Sequence, residues 1–524
     1  MSLFQGKDFA HVYMRYSLQN ICLFPALFLL LSSVIHGQND SVLAGVAGRI
    51  ETEGMCNSGV EELAFWLTDV AGPRLTASTG GERGYDIAMK KLTEYGIESV
   101  RMDTVGIFDN GGWENKKVYA AMIRPYYVPF SVNPVAWTGS TKGRVTAGVV
   151  AVNIRDSSDV ERYAGRLKGK IVLLVEEKVY ASYARGRLQA SPYTDAELEA
   201  LTMEEPTPPP GRSVPVVDHA PSVEDIIAFI MAERAAVVLR LSKAGEYNVA
   251  RSTGFPFKEG EPEPVPQLNL SLEAFGRLYR LLCRDIPVKM EVEIRNSFTK
   301  NPYVINVMGE ISGNDPLLKE EVVLIGAHID SWHGGTGAVD NAAGCITMME
   351  AMRILRALDI KPRRTIRIAL WGGEEQDLQG SHGYVGKYLA DGPTKERKPG
   401  YKKFMVYFNS DHLTGRFRGI YLQGNEQARP VFEEWLKPFA DAGCSTLSIR
   451  NFWNTDHIPF DEAGLPAFTF IQDQGESGVA YHTNTDTYER LDMNALKQNA
   501  VIMASLAFRA AMREERIPGK RQVK

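Results

Sequence analysis

EVVLIGAH, running from Glu321 to His328, is apolar almost without a break until it ends on a histidine. Strands buried on both faces read this way, and such strands belong to parallel sheets covered by helices. Working outward, Asn341 to Leu358 reads as a helix, TIRIALW (Thr365 to Trp371) as a second buried strand, and Gly380 to Leu389 as a helix. FMVYFNSD (Phe404 to Asp411) and PAFTFIQD (Pro466 to Asp473) read as further strands, and Met493 to Met512 as a long closing helix. Strand and helix in alternation predict an α/β fold, a mostly parallel (mixed) sheet flanked by helices on both faces.

Upstream the pattern differs. Gly59 to Gly96 reads as helical, with a turn at GPRLTASTGG (Gly72 to Gly81). From Val132 short strands take over: GRVTAGVVAV (Gly143 to Val152), KGKIVLLVEE (Lys168 to Glu177) and AAVVLRL (Ala235 to Leu241), with a helix at Val223 to Arg234. The proline-rich stretches Glu204 to Pro215 and Glu259 to Pro266 can only be loops. Residues 132–298 carry none of the chemical motifs below and are expected to form a β-rich insert.

At 524 residues the chain exceeds one ordinary domain. A formal net charge of -5 gives no reason to expect nucleic acid or an anionic membrane surface as a partner. Lys7 and Arg15 precede ICLFPALFLLLSSVI (Ile21 to Ile35), which is short for a membrane span and interrupted by Pro25. A basic start, an apolar run and a polar exit read as a secretory signal over residues 1–37. The expectation is therefore a secreted or periplasmic protein, with no stable membrane insertion after signal removal. Beyond Cys22 in that signal, Cys56, Cys283, Cys345 and Cys444 form no C-x-x-C pair, so they offer no cysteine zinc site; they read as free buried thiols, with one disulfide the alternative in an oxidising compartment.

Acids and histidines gather where the buried strands end. His328 and Asp330 follow the first, Glu374 and Glu375 the second (WGGEEQ), and Asp411 ends the third. Open parallel sheets bind ligands beyond the carboxyl ends of their strands, so these groups converge despite their separation in sequence. Singly, each has an ordinary reading: a strand-end His or Asp as a turn former, an EE pair as solvated surface, Asp340 of DNAAG as a helix N-cap. Capping gives no reason for such residues to end three successive buried strands. Imidazole and carboxylate are zinc ligands, one carboxylate can bridge two metals, and a metal-free carboxylate beside them can act as general base. Neither a G-x-S-x-G elbow nor an H-E-x-x-H helix is present.

In order and spacing, GAHIDSWHGGTGAVDNAAG, WGGEEQDLQGS, FNSD and YHTNTDT resemble the zinc exopeptidases that include aminopeptidase S, carboxypeptidase Q and glutamate carboxypeptidase. LTDVAGPRLTASTG (Leu67 to Gly80) resembles the N-terminal motif of that group, and the insert, with KGKIVLL, resembles its protease-associated domain. The resemblance implies residues 38–131 and 299–524 as the peptidase domain, around a protease-associated insert at 132–298. It implies two zinc ions, with Asp340 bridging, His328 and Asp411 on one, and Glu375 and His482 on the other. Glu374 matches the general base, Tyr481 a tyrosine that stabilises the oxyanion, and Asp330 the carboxylate behind the first histidine. His412 competes with Asp411 for its role, and Asp456 of TDHIPF matches a loop that orients the site. His333, His382 and His457 read as pocket lining or satisfied hydrogen bonding.

The implied activity is removal of a terminal residue from short peptides, as aminopeptidase or dipeptidase. Carboxypeptidase Q-like or glutamate carboxypeptidase-like action is the alternative. A catalytically dead binding protein would have lost ligands or the base, and a glutaminyl cyclase would carry one zinc; here both sets are complete. GAHIDSWHGGTGAVDNAAG, WGGEEQDLQGS and YHTNTDT contain no basic residue except histidine, which favours recognition of a free N-terminus, with Arg416 and Arg418 as counter-candidates.

Overall fold

The computed structural model describes residues 45–175, 193–203, 221–242, 248–300, 303–392, 394, 396–411, 414–475 and 477–520. The expected signal segment, His412 and the whole first proline-rich stretch lie outside the described residues. Residues 45–49 are helical, and the chain from Ile50 to Lys524 forms a unit of its own. Among the described residues no helix is long and apolar enough to cross a membrane.

The main sheet has eight strands: β1 (Glu98–Ile107), β2 (Tyr303–Ile311), β3 (Val322–His328), β4 (Thr365–Trp371), β5 (Phe404–Asn409), β6 (Phe417–Tyr421), β7 (Thr446–Ser448) and β8 (Ala467–Gln472). Their spatial order is β1-β2-β4-β3-β5-β8-β6-β7. The central β4-β3-β5-β8 run is parallel, while β1, β2 and the β6–β8 pairing are antiparallel, so the sheet is mixed. Every residue of β5 and β8 is buried, as the unbroken apolar runs require.

Helices cover the sheet. Ala343–Ala357 is almost wholly buried, because Met493–Met512 packs across it as well as the sheet. Met493–Met512 starts where the Asp492 carboxylate accepts from the amides of Asn494 and Ala495, at 3.0 Å each. At the head of Ala343–Ala357, a Cβ on Gly344 would lie 2.4 Å from Asn341 Oδ1 and 2.5 Å from the Ser410 carbonyl. Only glycine lets the helix start this close to the end of β5, and that closeness brings Asp340 toward Asp411.

A second eight-stranded sheet runs in the order Val128–Pro129, Gly112–Arg124, Lys289–Thr299, Val145–Val152, Ile171–Leu174, Val237–Leu241, Gln267–Leu270, Val132–Pro134. It takes in Gly112–Arg124, upstream of the Val132 onset read from sequence; this strand and Lys289–Thr299 form a long antiparallel ladder. The sheet has its own apolar core, including Leu173, Leu239, Phe275 and Ile294. It meets the loop that follows β3 directly: Trp332 packs edge-on against Trp137 at 6.2 Å, and His333 Nε2 lies 2.7 Å from the Pro134 carbonyl. No disulfide forms among Cys56, Cys283, Cys345 and Cys444; Cys345 and Cys444 are buried as expected, whereas Cys56 and Cys283 are exposed because they sit at helix ends facing solvent.

Candidate active site

His328 ends β3, and its Nε2 lies 2.9 Å from Asp411 Oδ1 and 3.1 Å from Asp340 Oδ1. On the other side of Asp340, His482 Nε2 lies 3.0 Å from Asp340 Oδ2 and 2.9 Å from Glu375 Oε2. Asp340 thus stands between two groups with one carboxylate oxygen facing each. Glu374 approaches the first group but stands back, its Oε2 3.8 Å from His328 Nε2. Donor atoms of His328, Glu374 and Asp411, and separately of Asp340, Glu375 and His482, lie within 4.8 Å of one another.

The chemistry of this set fits metal ions. Asp330, Asp340, Glu374, Glu375, Asp411 and Asp456 are gathered in the fold's interior with few cations to balance them, an arrangement that is unfavourable without one. Glu375 Oε1 is buried with no hydrogen bond, leaving lone pairs for an ion. Burial, with the charges of Asp411, Asp456 and Glu375, pushes the Glu374 carboxyl well above the usual range despite His328. Burial and the Asp340 charge push Glu375 up to about 7. Asp340 is driven the opposite way: burial raises it, but hydrogen bonds from His328 and His482 prevail and hold it low. His482 is pushed up to about 9, its burial outweighed chiefly by Glu375. A divalent ion would hold all these ligand carboxylates ionised and both imidazoles neutral.

Supporting residues hold the set. His328 Nδ1 faces the main-chain carbonyl of Asp330 at 3.0 Å, while the Asp330 carboxylate is 3.7 Å away. That carboxylate accepts from the amides of Glu374 and Glu375, at 3.2 Å each, and from the Thr76 hydroxyl at 3.1 Å. It therefore ties the end of β3 to the turn carrying both glutamates. Asp486 accepts from the amides of Val339 at 2.6 Å and Asp340 at 3.2 Å. Arg74 is buried and donates to the carbonyls of Ile329, Leu67, Thr336 and Gly337, pinning both ends of the loop between His328 and Asp340. Asp456 accepts from Ser381 Oγ at 2.6 Å, and burial first, then Asp411 and Asp330, pushes it up to about 8.

Tyr481 stacks on His482 at 3.7 Å between centroids and is 38% exposed. With Phe452, Trp453 and Asn454 it walls a cleft whose floor is Asp340, Glu374, Asp411 and His482. Burial and the carboxylates of Asp340, Glu375 and Asp411 raise its hydroxyl pKa, so it stays a hydrogen-bond donor. His333 and His457 are held by hydrogen bonds, and His382 is exposed. Sequence reasoning does not single out Arg74, Thr76, Asp486 or Ser381, although all four lie inside the motifs quoted above. The one usable signal is a charged Arg74 amid the apolar and small residues of LTDVAGPRLTASTG.

Residues 306–507 match the family model described as Peptidase family M28. Carboxypeptidase Q of Homo sapiens is 24% identical over 465 residues, covering 88% of this chain and 87% of that protein. Aminopeptidase YwaD of Bacillus subtilis (strain 168) is 28% identical over 199 residues, 37% of this chain and 42% of its own. Among solved structures, a peptidase M28 precursor from Shewanella amazonensis SB2B has a TM-score of 0.66 at 22% identity, covering 92% of this chain and all (100%) of its own. BSAP, a zinc aminopeptidase from Bacillus subtilis, has a TM-score of 0.55 at 19% identity, covering 89% and 98%.

Proposed function

Residues 306–507 belong to Peptidase family M28, and from that premise we propose that this zinc peptidase is a two-zinc exopeptidase acting on short peptides, as aminopeptidase or dipeptidase. The observation that carries the reading is Asp340, with one oxygen toward His328 and Asp411 and the other toward Glu375 and His482. In this reading those five residues hold the metals and Asp340 bridges them. Zinc at such a pair supplies a Lewis acid at the scissile carbonyl and makes water a better nucleophile.

The rest falls to this chain's side chains. Glu374 stands back from the ligand atoms. It takes the proton of the attacking water and returns it to the leaving amine. Asp330 fixes the turn that aims Glu374. Tyr481, on the cleft wall, donates to the oxyanion that develops on the substrate carbonyl. The acid-rich floor suits a free amino terminus. The β-rich insert, residues 132–298 with the ladder strand before it, borders the cleft and restricts it to short substrates. Export by the N-terminal signal completes the reading, with a secreted or periplasmic location.

The test is purified protein with zinc, assayed against N-acetylated, C-amidated and free short peptides. Cleavage of peptides with a free N-terminus is expected. No cleavage of any short peptide at full zinc loading refutes the exopeptidase reading.

A further inference from the structure

One helix of the insert sits on the far edge of the peptidase sheet. Asp195–Thr202 is started by its own sequence: Thr194 Oγ1 accepts from Glu197 N–H at 3.3 Å, and the Glu197 carboxylate accepts from Thr194 N–H at 2.8 Å, a capping box. Its 8 residues are too few to hold a helix unaided, so docking must supply the rest. Only Leu198 and Leu201 among them are buried, one turn apart on a single face. Both pack with Tyr421 of β6 and Ile471 of β8. The Leu201 carbonyl accepts from Ser448 Oγ of the edge strand β7 at 2.7 Å, and Asp473 Oδ1 accepts from Tyr193 N–H at 3.1 Å. Arg418 Nη1 holds the same Asp473 carboxylate at 3.2 Å.

The same cluster reaches the cleft. Phe452, which walls the cleft beside Trp453 and Asn454, packs against it, its ring centroid 5.5 Å from that of Tyr421. The main chain and the ring of Phe452 are held by different parts of the protein. Fully buried Gln423 brackets the main chain, its Nε2 donating to the Phe452 carbonyl at 2.8 Å and its Oε1 accepting from the Phe452 N–H at 2.5 Å. The side chain is half-buried and leans on the cluster that Leu198 and Leu201 complete. Taking the helix away would leave the backbone of the wall in place and the ring without its backing. A ring free to change rotamer makes a poor wall, because ordering it on binding costs entropy.

We propose that the Asp195–Thr202 helix governs side-chain selection: Leu198 and Leu201 are positioning residues that fix the ring of Phe452, and Phe452 is the specificity-determining residue that favours a bulky apolar side chain beside the scissile bond. This rests on the exopeptidase reading above and adds to it the part of the insert that selects among short peptides. The helix acts on the substrate only through Phe452, so the metals, Glu374 and Tyr481 do the same work whether or not it is docked.

The test compares Ala-Ala, Leu-Ala and Ala-Leu with the zinc-loaded full chain, its Leu198→Ala/Leu201→Ala double variant and a Leu198→Met/Leu201→Met control. The wild type should prefer leucine at one of the two positions. An enclosed methylene is worth about 10-fold or more in discrimination, and one wall of the cleft carries a share of what leucine has over alanine. The kcat/KM ratio of the preferred leucine peptide over Ala-Ala should therefore fall about 10-fold in the double alanine variant, mainly through KM. Ala-Ala itself should stay within about threefold of wild type, bound zinc per chain should not change, and the methionine control should keep most of the preference, since Leu and Met fill similar volumes. Leu201→Ala alone should shift the ratio the same way by less, and it decides the matter if the double variant does not fold. Equal losses on all three peptides, loss of zinc, or an unchanged ratio would overturn the proposal, as would a wild type with no preference for leucine at either position. Wild-type protein inert toward all three strikes the exopeptidase reading instead. Calorimetric binding of leucine against alanine, in wild type and double variant, then still decides the role of the helix: a preference for leucine that the variant loses supports it, and no preference refutes it.

Discussion

Asp330 offers the sharpest perturbation, because two roles for it predict different losses. It is fully buried, and its carboxylate accepts from Glu374 N–H, Glu375 N–H and the Thr76 hydroxyl. The tautomer of His328 is already set by the Asp330 main-chain carbonyl at 3.0 Å, which no side-chain substitution removes. Asp330→Ala leaves two amides and a hydroxyl without an acceptor in a site closed to water. At about 1–3 kcal/mol for each of the two amides left unsatisfied, and with the hydroxyl free to rotate, the expected destabilisation is about 2–6 kcal/mol. Asp330→Asn keeps one acceptor and turns an NH2 toward one of the glutamate amides, so the turn shifts without collapse. A misplacement of about 1 Å in a reacting group costs roughly 10²-fold in rate. Asp330→Asn should therefore lose about that much kcat, with zinc content unchanged. Urea unfolding of the zinc-loaded variants, zinc content and steady-state kinetics measure these quantities. If Asp330→Asn keeps kcat within threefold of wild type (about 0.7 kcal/mol) or sheds zinc, the positioning argument is wrong.

Glu374→Gln should keep its zinc and lose about 10²–10⁴-fold in kcat, as removal of a general base does; kinetics with metal analysis checks both. Tyr481→Phe removes a donor to the developing oxyanion and should lower kcat about 10²–10³-fold with KM little changed, measured on the same peptides. His333 lies between Trp113 and Trp332, and burial pushes its imidazole down to about 4, against the Pro134 carbonyl. Between that value and the unfolded value of about 6.5, only the unfolded chain takes up the proton, so stability is lost as pH falls through this window. By pH 5 this amounts to about 2 kcal/mol. The difference in unfolding free energy between wild type and His333→Phe should narrow by that amount from pH 7.5 to pH 5; a constant difference would contradict it.

The parallel core was legible because strands buried on both faces leave an unmistakable apolar run, as in β3, β4, β5 and β8. The outer strands were not. Gly112–Arg124 is half exposed, and its GWENKKVYAAMIR shows neither a long apolar run nor clean alternation. β1, at the edge of the sheet, pairs antiparallel and is largely exposed, so its ESVRMDTVGI carries no apolar run that marks it as a strand. The strand-end rule brought out His328, Asp330, Glu374, Glu375 and Asp411, since sheet topology carries them to one edge. Asp340 and His482 emerged only through motif resemblance. Arg251, whose Nη2 lies 3.0 Å from His482 Nδ1, was equally hidden: it lies in the insert, far from every motif, and is set beside His482 by a backbone bridge that no sequence pattern records. The role of Arg74 stayed hidden for a related reason, because its partners are carbonyl groups, which carry no side-chain signature.

The central claim is two zinc ions sharing Asp340. Crystals of zinc-loaded protein, with diffraction recorded on either side of the zinc absorption edge, test it most directly. Two anomalous peaks about 3.5–4 Å apart are expected, one bound by His328 and Asp411, the other by Glu375 and His482, with Asp340 between them and Glu374 on neither. A single peak, or a peak ligated by Glu374 in place of Asp340, would contradict the account.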